Sequence, residues 1–203
     1  MKFVTCGLSS FDKMHVDSLG STPLLAGSVG TEQTLYQMAA LVRRDAATPL
    51  MRQTALDIVR DCGGHQFACE VRALFEFCRD QITYRRDPVH AEWVQDAART
   101  LYTFRSGDCD DKVCCLATLL GSLGHKSRFV VIGASASKFT HVYLECATPG
   151  GWLALDPTPE TARAGWQARG FHRWVYPIWD EQETSSYIGI VLIGVLAYFC
   201  FRG

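Results

Sequence analysis

The hydrophobic period of this chain changes at Gly124, and that change restricts the folds open to it. Upstream, apolar residues recur at helical spacing. Leu35, Met38 and Val42 form one stripe, and Met51, Ala55, Ile58 and Val59 a second. Val71, Leu74, Phe75, Cys78 and Ile82 form a third, and Cys109, Val113, Leu116, Ala117 and Leu120 a fourth. Downstream, SRFVVIG (127–133), FTHVYLECA (139–147) and WLALD (152–156) are short runs rich in Val, Ile, Phe and Tyr, as strands are. Helices first and an antiparallel sheet afterwards predict an α+β domain.

Punctuation along the chain agrees. A helix begins at Thr31 and ends near Arg43-Arg44, whose charge suits its C-terminal dipole. Thr48-Pro49 is an N-cap followed by proline at the first helical position, and Gly63-Gly64 stop that helix. A third helix spans about 66–81, and Tyr84 to Val89 is a loop. Ala91 to Leu101 is a short helix or turn, and Asp108 is placed to cap the helix that Cys109 opens. Pro149-Gly150-Gly151 turn the chain between the last two strands. Residues 1–30 are Ser- and Gly-rich without a sustained period and are expected to be an irregular extension. The expected catalytic domain is 31–180, followed by a linker and anchor over 181–203.

With 20 Lys and Arg against 21 Asp and Glu, no basic excess points to nucleic acid. Nine cysteines, an odd number in a chain whose first ten residues do not read as a secretory signal, predict mostly reduced thiols and a cytoplasmic domain. Tyr187 to Phe201 (YIGIVLIGVLAYFCF) carries no charge and would span roughly 22 Å as a helix, extended by Ser185 and Ser186. With Trp174, Tyr176 and Trp179 upstream as an interfacial belt, residues 187–201 are expected to anchor the chain in a membrane.

Three residues carry candidate chemistry. Cys109 opens a helix, where the helix dipole favours thiolate, the nucleophilic form. His141 alternates with Val142 and Leu144 in a strand, so its side chain should point away from their face. Asp156 ends the next strand, where it can accept the second imidazole N–H and hold the tautomer. Asp108, Asp110 and Asp111 crowd the thiol with negative charge, either opposing thiolate formation or simply capping the helix. The Cys109 N–H is a natural oxyanion donor, and Gln95, Trp93 and Tyr84 are candidates for the second. A zinc reading of Cys62, His65, Cys69 and Cys78 lacks a second ligand pair and is set aside. Of Cys114 and Cys115, one should lie in the core and the other near the cleft or a neighbouring helix. His172 reads as a docking or membrane-proximal residue.

GDCDD before an apolar helix, then LGHKSRFVVIG, FTHVYLE and WLALDPTPE, resembles the transglutaminase-like superfamily, over roughly residues 66–160. The GDCDD form is similar to phage and prophage versions. The resemblance implies a papain-like core, with Cys109, His141 and Asp156 as a catalytic triad and acyl chemistry through a thioester. It implies no organic cofactor and no metal. The expected function is a cysteine hydrolase or acyltransferase acting on peptide, isopeptide or side-chain amides, peptidoglycan stem peptides among them, with hydrolysis favoured over transamidation. The rival is a catalytically silent membrane-attached binding or structural protein, such as a virion component that kept the fold.

Overall fold

The computed structural model describes residues 28–64, 66–86, 94–135 and 137–179. Helices α1 (Ser28–Ala46), α2 (Pro49–Ile58) and α3 (Phe67–Gln81) come first. Two-residue strands β1 (Thr83–Tyr84) and β2 (Ser106–Gly107) pair in parallel, and a π-helical segment, Arg99–Phe104, lies between them in sequence. Helix α4 (Cys109–Ser122) leads into β3 (Ser127–Ser135), β4 (Lys138–Thr148), β5 (Gly151–Leu155) and β6 (His172–Pro177). The larger sheet is antiparallel throughout, in the order β5-β4-β3-β6.

Helix α4 is the hub. Val113, Cys114, Cys115, Leu116, Ala117, Leu119 and Leu120 are all buried, so no single stripe describes it. Such a helix is stable only when covered on every side. Helices α1, α2 and α3 pack on it, and β3 and β4 cover the remainder through Phe129, Val131, Val142, Leu144 and Cys146. The caps form as the sequence suggests: the Thr48 side chain accepts the Met51 N–H, and Pro49 opens α2. The other face of the sheet carries a smaller cluster of Val130, Ile132, Tyr143 and Ala154, covered in part by Ala168. Glu145 on that face is buried between Arg128 and Arg173.

Strand β6 departs from the sequence expectation. Its Trp174 and Tyr176 pack on the main core and its Val175 on the smaller cluster, as strand alternation requires. Trp179 lies so close to Gly121 of α4 that a Cβ there would sit 2.4 Å from its ring. These aromatics are therefore packing residues, not a membrane belt, and His172 is a sheet residue paired with Gly133. Pairing with β3, some forty residues earlier, is a long-range choice that a local pattern does not reveal.

Cys62 and Cys69 form a disulfide, which corrects the expectation of free thiols for that pair. Cys78, Cys109, Cys114, Cys115 and Cys146 are free. Cys114 and Cys115 are both buried, Cys115 beside Cys78 of the neighbouring α3, and burial pushes both thiols well up. Among the described residues no helix is long and apolar enough to cross a membrane. The apolar run 187–201 and most of the 1–30 extension lie outside the described residues, as do His65 and Trp93.

Candidate active site

The candidate nucleophile sits where a short strand becomes a helix. Asp108 has extended backbone angles and its side chain accepts the Asp110 N–H at 3.2 Å, so α4 begins at Cys109. The Asp110 carboxylate accepts the Asp111 N–H at 3.0 Å, and the Lys112 N–H reaches the Asp108 carbonyl at 3.2 Å. Asp108 and Asp110 thus serve the orphan amides of the helix start. The N–H of Cys109 itself is not committed to any of these caps.

Asp111 is fully buried and does something else. It accepts the Gln95 backbone N–H at 2.7 Å and a bond from the Gln95 side-chain amide. That tethers the loop entering the π-helical segment to the first turn of α4. Gly107 makes room for it: a Cβ there would lie 2.4 Å from the Asp111 Cβ. Lys112, also buried, donates to the Arg79 carbonyl at 3.1 Å and the Ile82 carbonyl at 2.7 Å, a cation at the C-terminal end of α3. Burial lowers its pKa against the pull of nearby acidic groups. Through Lys112 the end of α3, and with it β1, is held against the start of α4. Sequence reasoning missed Lys112; a lysine inside an apolar helical run was its only signal.

His141 and Asp156 come from β4 and the end of β5. The His141 Nε2 lies 2.7 Å from Asp156 Oδ2, and Asp156 is fully buried. The other oxygen of Asp156 accepts the Thr158 N–H at 3.1 Å, fixing the carboxylate. Cys109 lies near enough to the same imidazole to raise its pKa, and Nδ1 is the nitrogen left to face the sulfur. Burial lowers the His141 pKa, but the bonds to Asp156 and Cys109 outweigh it and raise it to about 9. The ring is an imidazolium at neutral pH, held between an acid and a thiol. The structure thus pairs His141 directly with Asp156 and leaves Cys109 near the same imidazole.

The oxyanion candidates fare differently. The Gln95 Nε2 donates to Asp111 and, at 3.4 Å, to the Ser106 carbonyl, so both its hydrogens are occupied. Its Oε1 is buried without a partner. Gln95 is a tether in this arrangement, not an oxyanion donor. Tyr84 pairs with Gly107, two residues before Cys109, and is half exposed. Its backbone is thereby held beside the strand that leads into Cys109. Asp108, Cys109 and Asp110 have potential ligand atoms within 4.8 Å of one another, and Asp110 Oδ2 is buried without a partner. This acidic cluster coincides with the nucleophile and is the group of described residues able to approach a cation. Cys62 and Cys69, bonded to each other, offer no thiolate to a metal.

A cysteine at the start of a buried central helix, with a His–Asp pair on the antiparallel sheet beside it, fits an α+β fold of the cysteine hydrolase or acyltransferase kind. The family model "Transglutaminase-like superfamily" matches residues 52–157, over half of the chain. The chain belongs to that superfamily. No curated protein matches it. Solved structures are similar in fold. A candidate protease of Parabacteroides distasonis is 15% identical, with a TM-score of 0.50, over 71% of this chain and 29% of that one. A candidate cysteine protease of Cytophaga hutchinsonii is 17% identical, with a TM-score of 0.44, over 64% of this chain and 54% of that one. The periplasmic domain of TgpA from Pseudomonas aeruginosa is 24% identical, with a TM-score of 0.42, over 61% and 50%. The chain thus spans about half, or less, of the length of these proteins.

Proposed function

We propose that the chain is a cysteine hydrolase of peptide, isopeptide or side-chain amide bonds, acting through Cys109, His141 and Asp156. The observation that carries this reading is the imidazole of His141, bound to the buried Asp156 at 2.7 Å and near enough to Cys109 for its pKa to be raised by both. In this reading the Cys109 thiolate attacks the amide carbonyl carbon. The Cys109 N–H and the Tyr84 hydroxyl receive the oxyanion. The C–N bond breaks as the imidazolium gives its Nδ1 proton to the departing amine, leaving a thioester and a neutral imidazole. That imidazole then takes a proton from water, which adds to the thioester and releases the acid and the thiol. Asp156 orients the ring and stabilises its charge throughout.

Water is favoured over an amine as the second substrate. Excluding water takes covering loops or further domains. Among the described residues, the β3–β4 and β4–β5 connections are short. The longer segment after Asp156 is tied down at both ends: Ala162 is buried in the main core with its carbonyl held by Arg79, and Gln167 on the outer sheet face accepts the Tyr143 hydroxyl at 2.9 Å. The substrate class extends to peptidoglycan stem peptides, and membrane attachment through 187–201 remains part of the proposal. The Cys62–Cys69 bridge favours an oxidising compartment for the domain over the cytoplasm.

The test is a panel of peptide, isopeptide and stem-peptide amides, with and without a large excess of a primary amine. Free acid formed by the wild type and lost in Cys109→Ala is the expected result. A dominant amine adduct would make the protein an acyltransferase. No turnover together with an unreactive Cys109 would leave the binding-protein reading.

A further inference from the structure

From the pairing of β3 and β4 we infer that Gly133 is a positioning residue for His141, acting through a bulge that only glycine permits at that point. From Ser127↔Cys146 to Ile132↔His141 the two strands keep one register, and Ser135↔Lys138 returns to it. In that register Gly133 would face Thr140. It faces Phe139 instead, so Thr140 is an extra residue on β4. The same Gly133 stays in regular register with His172 on β6, so the slip is confined to one side of it.

The slip decides where His141 points. Val142, Leu144 and Cys146 face the core beneath α4, while Tyr143 and Glu145 lie on the opposite face. Plain alternation would put His141 with Tyr143 and Glu145, away from Cys109. Instead its imidazole lies near enough to Cys109, which opens the helix on the core face, to have its pKa raised by it. Phe139, three residues before Val142, also packs on the main core, so the alternation has skipped a residue between them. A bulge does this: it bends a strand and re-aims the side chain beside it.

Gly133 is what admits the bulge. A Cβ there would lie 2.0 Å from the Lys138 carbonyl oxygen and 2.7 Å from the Phe139 Cα. Both are backbone atoms of the strand that slips, so no side-chain rotation relieves the contact. Gly170 closes the site from another direction: its own added Cβ would be 3.1 Å from the Gly133 nitrogen. Any larger residue at 133 pushes β4 back towards the flanking register and turns His141 over.

This inference rests on the triad reading, and its test separates the two. The rate of Cys109 alkylation by iodoacetamide is followed against pH, with the Cys109 peptide quantified by mass spectrometry. The wild type, His141→Ala, Gly133→Ala and a Thr140 deletion are compared. The triad reading requires the wild type to react well below the ordinary thiol range near pH 8.5, and His141→Ala to lose that reactivity. The inference requires Gly133→Ala and the Thr140 deletion, both still melting cooperatively, to follow the His141→Ala profile, with at least a tenfold loss at pH 6.5. A merely structural glycine would lower the melting midpoint and leave the profile unchanged. Folded Gly133→Ala with the wild-type profile overturns the inference while sparing the triad. Equal profiles for wild type and His141→Ala would instead remove the triad reading. Should the variants not fold, backbone NMR of the wild type decides: cross-strand contacts between Gly133 and Phe139 support the bulge, and contacts between Gly133 and Thr140 refute it.

Discussion

His141 has a pH dependence that can be read directly. Its folded pKa of about 9 lies above the ordinary value of 6.5, because the bonds to Asp156 and Cys109 outweigh burial. A raised pKa means that the folded state holds the proton more tightly than the unfolded chain does. The resulting stability is complete below about pH 6.5 and is lost as pH rises through about 9. Urea midpoints should therefore fall between pH 7 and 10, by on the order of 2 kcal/mol, and His141→Ala should flatten that slope. An equal slope in the variant would assign the loss to other groups. Asp156→Asn should keep the fold and lower kcat by about 10²- to 10⁴-fold, because an amide no longer selects the tautomer or stabilises the imidazolium. Retention of wild-type kcat in Asp156→Asn would exclude Asp156 from the mechanism.

Among the elements, the start of α4 is the part most sensitive to substitution. Gly107→Ala puts a methyl group into the space of the buried Asp111 side chain. Either Asp111 moves and leaves its bonds to Gln95, or β2 moves off β1. Both routes break buried hydrogen bonds, so a loss of about 2–4 kcal/mol is expected in urea unfolding. A loss under about 0.5 kcal/mol would mean that the turn adapts freely. At the start of α3 the Cys62–Cys69 bridge closes a short loop across Gly63 and Gly64. Replacing both cysteines by serine should cost about 2 kcal/mol through a freer unfolded chain, and leave the Cys109 alkylation profile unchanged. Reduction of the wild type should do the same, which a melt with and without reductant measures.

For the whole molecule, the question is how much of the chain the catalytic unit needs. The described residues close a core around α4 up to Trp179: the Arg43 guanidinium holds the Ile178 carbonyl at 2.9 Å, and Ile178 itself is fully buried. A chain ending shortly after residue 180 is therefore expected to fold, melt cooperatively and remain soluble. The full chain, carrying 187–201, should partition into detergent. Equal partitioning of the two would remove the membrane-anchor proposal. Loss of cooperative melting in the shortened chain would show that 181–203 belongs to the core.

The local pattern of the sequence carried the α+β order, the caps at Thr48 and Asp108, three of the four strands of the main sheet, and the placing of Cys109 at a helix start, His141 in a strand and Asp156 at a strand end. These are legible because helical and strand periods, capping residues and Asp-Pro turns are set by neighbours within a few positions. Tertiary structure decided the rest. Strand β6 exists because β3 offers an edge to it, and the same aromatic residues without that edge read as a membrane belt. Gln95 looked like a free amide until the buried Asp111 occupied it. Two cysteines seven residues apart became a bridge because the Gly63-Gly64 turn folds one back on the other. Above all, alternation alone pointed His141 away from the face of Val142. In the inference drawn above it turns towards Cys109 because β4 slips by one residue opposite a glycine, a shift in pairing between strands that no periodicity within either one encodes.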